Sequence, residues 1–120
     1  MRRCLAVLLL FAMPASAAIS RVQKSSLVIV SNSLTCKPNL SSGTASGNLL
    51  VVWAAWTPGN TVSVTSVGDS QPLNSFPSAV GPTLQASASP QISSQIFYAK
   101  SIHGNAGSDN VTVIYQDGQN

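Results

Sequence analysis

The sequence predicts an all-β fold, an antiparallel sandwich of the immunoglobulin-like or jelly-roll-like kind. Three observations lead there. Ser, Thr, Asn, Gln and Gly make up nearly half of residues 18–120, and most of these are poor helix formers. No apolar stripe with a period of 3.6 residues runs anywhere after residue 18. Short β-branched and aromatic runs recur between Pro, Gly and Asn clusters, which is the pattern of strands joined by turns.

The first 17 residues read as an export signal. Arg2 and Arg3 supply a positive start, Leu5 to Met13 an apolar run, and Ala15-Ser16-Ala17 a small-x-small cleavage site. The apolar run falls short of the roughly 20 residues that span a bilayer. The expected product is therefore a secreted or cell-surface protein with no membrane span once the signal is cleaved.

Strands are expected in order along the mature chain. Leu27 to Val30 is the first, rich in β-branched residues. Leu49 to Trp56 is apolar at every position, which reads as a central strand buried on both faces. Thr57-Pro58-Gly59-Asn60 is a turn. Thr61 to Val67 alternates until Val67 breaks the parity, so a bulge is expected near Ser66. Residues 68–91 carry four prolines and read as irregular, with short pairing at most around residues 74–76 and near Leu84. Ile92 to Ile102 and Val111 to Gln116 complete the set, separated by a turn rich in Gly and Asn at 103–110. The expected core is Leu27, Ile29, Leu49, Val51, Trp53, Val62, Val64, Ile96, Tyr98, Val111, Val113 and Tyr115. Residues 18–120 form one domain in this reading. Five good strands fall short of the seven or so of a sandwich, so the chain is expected to lack the end of its module and to leave its last strand on an edge.

Charge limits the chemistry. Only 8% of residues are charged, against roughly 25% in an ordinary domain. Without residues 1–17 the net charge drops from +3 to +1, with Arg21, Lys24, Lys37 and Lys100 set against Asp69, Asp109 and Asp117. That is too little for a nucleic-acid surface. With one His and no Glu, neither a paired-Glu site nor a multi-His zinc site can be built, and no cofactor is expected. Cys4 leaves with the signal, so Cys36 is the only mature cysteine and is expected to be a buried or half-buried thiol.

Ser46-Gly47-Asn48-Leu49-Leu50-Val51-Val52 followed by Trp56, then Val64-Thr65-Ser66-Val67-Gly68-Asp69-Ser70-Gln71, Ile96-Phe97-Tyr98-Ala99-Lys100 and Asn110-Val111-Thr112-Val113 together resemble a β-sandwich module of large exported bacterial surface proteins. The resemblance covers roughly residues 22–116. It departs at Gln71-Pro72-Leu73-Asn74, where that group has Gly-Asn-x-Tyr. It implies a secreted, non-catalytic module used for spacing, display or adhesion, and it brings no ligand or catalytic residue.

Among candidate sites, Gly68-Asp69-Ser70 has the look of an esterase serine motif. It lacks an Asp shortly before His103 and any Gly-x-Ser-x-Gly elbow, so it is read as a strand end and turn. His103 is read as a solvated turn residue. Asp69, Asp109 and Asp117 lack the Asp-x-Asp spacing that would gather calcium oxygens. The sharpest candidates are Trp53 and Trp56. Three residues apart on a strand, they point to opposite faces, so one enters the core and the other faces out. An exposed indole offers a flat apolar face with a polar edge, a platform for a sugar ring. Tyr98 and Tyr115 are alternative platforms. The expected function is a non-catalytic structural or interaction module; the alternative is a carbohydrate-binding module using Trp56 or Trp53. Its partners would be a cell-surface polysaccharide or another extracellular protein.

Overall fold

The computed structural model describes residues 23–25, 33–57, 62–87 and 89–116. The expected signal segment, the strand at Leu27 to Val30 with its core residues Leu27 and Ile29, and most of the turn at 57–60 lie outside them. Eight strands follow one another: β1 Thr35–Cys36, β2 Asn39–Leu40, β3 Leu50–Trp56, β4 Ser63–Gly68, β5 Ser78–Gln85, β6 Ile92–Ala99, β7 Asp109–Asn110 and β8 Thr112–Gln116. Every pairing is antiparallel. The strands form two three-stranded sheets, β1-β8-β4 and β3-β6-β5, and a short β2-β7 ribbon.

The two larger sheets pack against each other, as an all-β antiparallel sandwich requires. One contributes Val52, Ala54 and Phe97, with Leu50 and Trp56 beside them. The other contributes Val113, with Cys36, Val64, Val67 and Tyr115. Leu40 of the ribbon and Val111 at the entry to β8 close the same cluster. Side chains alternate between faces along a strand, so each sheet meets the core with every second residue.

That alternation corrects the expected core. In β3 the buried positions are Val52 and Ala54, whereas Leu49, Val51 and Trp53 face away from the core and are exposed. In β6 the buried positions are Phe97 and Ala99, leaving Ile96 and Tyr98 half-buried on the other face. The register agrees, since Val52 lies opposite Phe97 and Trp53 opposite Ile96. Val111 and Val113 are buried as expected, and Val62, Val64 and Tyr115 are half-buried. The strand β3 is also not central. Among the described residues it forms one edge of its sheet, and β6 is the middle strand.

The bulge near Ser66 is present, as a register shift between Val64 and Ser66 opposite β8. The last strand is not an edge, because β1 pairs with β8 on the side away from β4. Residues 68–91, expected to be irregular, contain the eight-residue strand β5. Its register against β6 slips twice, between Ser78 and Val80 and between Val80 and Thr83. Gly81 sits in the second slip at φ +97°, and a Cβ there would stand 2.8 Å from the Ser94 carbonyl oxygen. Glycine is what lets the bulged strand pass this close to β6. Among the described residues no helix is long and apolar enough to cross a membrane.

Candidate functional site

The face of the β3-β6-β5 sheet turned away from the core carries a run of exposed apolar side chains. Cross-strand partners share a face. Trp53, Ile96 and Val80 therefore form one row across three strands, and Val51 with Tyr98 forms the next. Trp53 is 68% exposed, with Val51 beside it at 56%. On the other side of the row, Ala55 and Thr83 flank Ser94, and the Thr83 hydroxyl lies 3.3 Å from both the Ser94 carbonyl and the Ser94 hydroxyl. The face is thus an apolar strip bordered by hydroxyl groups and nearly free of charge.

At the Tyr98 end the strip runs into a cleft of about 340 Å³, lined by Leu73, Asn74, Ser75, Pro77, Tyr98, Lys100, Ser101 and His103. Local backbone geometry builds it. The end of β6 would ordinarily continue to alternate, but Ser101 adopts a left-handed φ of 51°. A non-glycine residue in that region is uncommon and needs support from its surroundings. The kink turns Ile102 into the core, where it is buried, and leaves Lys100, Ser101 and His103 all bordering the cleft. Ile102 is held there by backbone bonds from its N–H to the Asn48 carbonyl at 3.0 Å and from the Gly47 N–H to its own carbonyl at 2.9 Å.

The opposite wall is the 71–74 turn, closed by a bond from the Asn74 N–H to the Gln71 carbonyl. Asn74 fastens it to the His103 backbone. Its Oδ1 accepts from the His103 N–H at 2.7 Å, and its Nδ2 donates to the His103 carbonyl at 3.2 Å and to Asp69 Oδ2 at 2.6 Å. Asp69 Oδ1 also accepts from the Gln71 N–H. Asp69 therefore stands behind the wall with its carboxylate engaged and is not among the lining residues.

The remaining candidates occupy structural positions. Trp56 points inward and packs on the core, with its ring edge-on to Tyr115 at a centroid distance of 6.0 Å. Its indole N–H is buried and meets no acceptor among the described residues. Of the two Trp residues it is Trp53 that faces out. Tyr115 belongs to the core side, and Tyr98 is the tyrosine on the outer face. Ser70 Oγ accepts from the Asn110 N–H at 3.2 Å, while His103 is tied through its backbone to Asn74. The motif residues Gly68-Asp69-Ser70 end β4 and open a turn. Asp109 is fully buried, accepting from Thr44 Oγ1 and from the Ser70 N–H, both at 3.2 Å. Among the described residues no group of three or more His, Cys, Asp or Glu side chains is placed to hold a metal ion.

Two parts of this site are not readable from the sequence. The inward or outward phase of β3 is hidden because its run is apolar at every position. The cleft depends on a left-handed serine and an asparagine bridge, neither of which has a local signature. No family model, curated protein or solved structure matches the chain.

Proposed function

We propose that this chain is a non-catalytic interaction module of an exported bacterial surface protein, and that its contact surface is the outer face of the β3-β6-β5 sheet. The observation that carries the reading is the Trp53 indole, two-thirds exposed in an apolar row across the sheet. Exposed apolar surface of this kind marks an interaction site. A sugar fits it better than a protein core would. The strip is two apolar rows bordered by the Thr83 and Ser94 hydroxyls. A pyranose ring presents the same mixture, with C–H groups on its face and hydroxyls at its edge. The export segment, the scarcity of titratable groups and the resemblance noted above support the same assignment.

The test is binding of the purified chain and its Trp53→Ala variant to a panel of bacterial and plant polysaccharides, followed by affinity electrophoresis and Trp fluorescence. Wild type is expected to be retarded by at least one polysaccharide and the variant to lose this. The melting behaviour should stay unchanged, since exposed substitutions shift stability by about 0.5 kcal/mol or less. Equal retardation of both proteins, or no fluorescence response across the panel, would remove Trp53 as the platform. Substrate turnover that disappears in Ser70→Ala would overturn the non-catalytic reading.

A further inference from the structure

We propose that the cleft at the Tyr98 end of this face is an anion subsite, and that the carbohydrate bound there carries carboxylate groups. This rests on the glycan reading of the outer face and narrows it to acidic polysaccharides.

The argument begins with charge. The described residues include three Lys side chains, Lys24, Lys37 and Lys100, and one His, His103. Lys100 and His103 border the same cleft, and no carboxylate lines it. In a chain so poor in charge, one of the three described ammonium groups borders this cleft. The nearest acid in the wall region, Asp69, is turned to Asn74 and Gln71 and partly satisfied by them. A carboxylate entering the cleft would therefore meet an ammonium group without a competing acid among the lining residues.

Shape supports the same ligand. Tyr98 belongs both to the cleft and to the outer strip, where it lies opposite Val51, one row from Trp53. A chain of sugars stacked on Trp53 can thus continue past Tyr98 and bring a ring substituent to Lys100. The walls are set before any ligand arrives. Ser101 holds a left-handed kink that places residues 100 and 103 on one side, and Asn74 bonds both backbone groups of His103. Preorganised walls reduce the ordering cost of binding, and a sparsely populated backbone conformation beside a cleft is the kind of feature that binding sites retain.

The experiment compares polygalacturonate with amylose, a neutral polymer of similar ring type, as ligands for the purified wild-type chain and for Lys100→Ala, Lys100→Glu, Lys100→Arg and Trp53→Ala. The readouts are affinity electrophoresis and titration calorimetry at low and high salt. Wild type is expected to prefer polygalacturonate and to bind it more weakly as salt rises. Lys100→Ala should lower that affinity by about fivefold, the scale of one exposed charge contact. Lys100→Glu should lower it further, and Lys100→Arg should retain it. Lys100 is exposed, so thermal melting of these variants should match wild type and exclude misfolding as the cause. If amylose binds as tightly as polygalacturonate, or Lys100→Ala binds polygalacturonate like wild type, the anion subsite is refuted while the glycan reading survives. If neither polymer binds, the anion subsite is refuted; if no polysaccharide of the wider panel binds either, the glycan reading fails with it. Binding indifferent to Trp53→Ala removes Trp53 as the platform and with it the subsite that continues from it.

Discussion

At the scale of single residues, the clearest dependence is on Asp109. A fully buried carboxylate persists only with partners, and here a threonine hydroxyl and a backbone amide supply them. The contact joins the 44–46 loop, the end of β4 and β7 at one point. Asp109→Ala leaves both donors without their acceptor, so a loss of about 2–3 kcal/mol is expected in urea unfolding. Asp109→Asn, which keeps an acceptor oxygen, should lose less. A variant as stable as wild type would show that water replaces the carboxylate. The sequence presents this residue as an ordinary turn Asp in a Gly/Asn-rich stretch. Nothing local distinguishes it, because its partners lie 39 and 65 residues away.

At the scale of elements, legibility follows pattern. The bulge in β4 was readable because Val64 and Val67 break a two-residue period, and the structure has the slip between Val64 and Ser66. The existence of β3, β4, β6 and β8 was readable from their β-branched and aromatic residues. The phase of β3 was not, since a one-residue shift exchanges its faces and Leu50 to Trp56 offers no polar marker. The small side chain of Ala54 is what sits deepest in β3, an outcome decided by the facing sheet. Strand β5 was missed because Gly81-Pro82 at its middle reads as a break. The strand accommodates the pair by slipping register, which gives Gly81 its own prediction. Gly81→Ala demands a strained φ and a contact with the Ser94 carbonyl. It should destabilise the chain by more than the roughly 1 kcal/mol of an ordinary strand substitution, read as a lower urea midpoint. An unchanged midpoint would mean that β5 contributes little to the cooperative unit.

At the scale of the whole molecule, stability depends on a modest shared core between two small sheets, with Cys36 a free thiol at its margin. Burial raises the Cys36 thiol above its ordinary range. Burial raises the Tyr115 phenol too, and the neighbouring Cys36 charge adds to this. Both groups are neutral in the folded chain where the unfolded chain already ionises. The unfolded state then binds fewer protons, and stability declines as pH rises. The contribution is intact below the ordinary thiol range and is lost progressively above about pH 9. Chemical unfolding at pH 7, 9 and 10.5 should show a falling midpoint, and Cys36→Ser combined with Tyr115→Phe should flatten the fall. A profile equally steep in the double variant would place the alkaline sensitivity elsewhere.

The double slip in β5 bears on how copies of this chain meet one another. All eight of its residues are exposed, and a strand of that length is long enough for a neighbour to zip backbone to backbone. Pro82 offers no amide hydrogen, and the distorted rungs on either side of it throw an incoming ladder out of step. Kinks and prolines on a rim are how sheet proteins discourage unlimited lateral growth. The irregularity that hid this strand from the sequence is therefore also a feature that opposes edge-to-edge pairing.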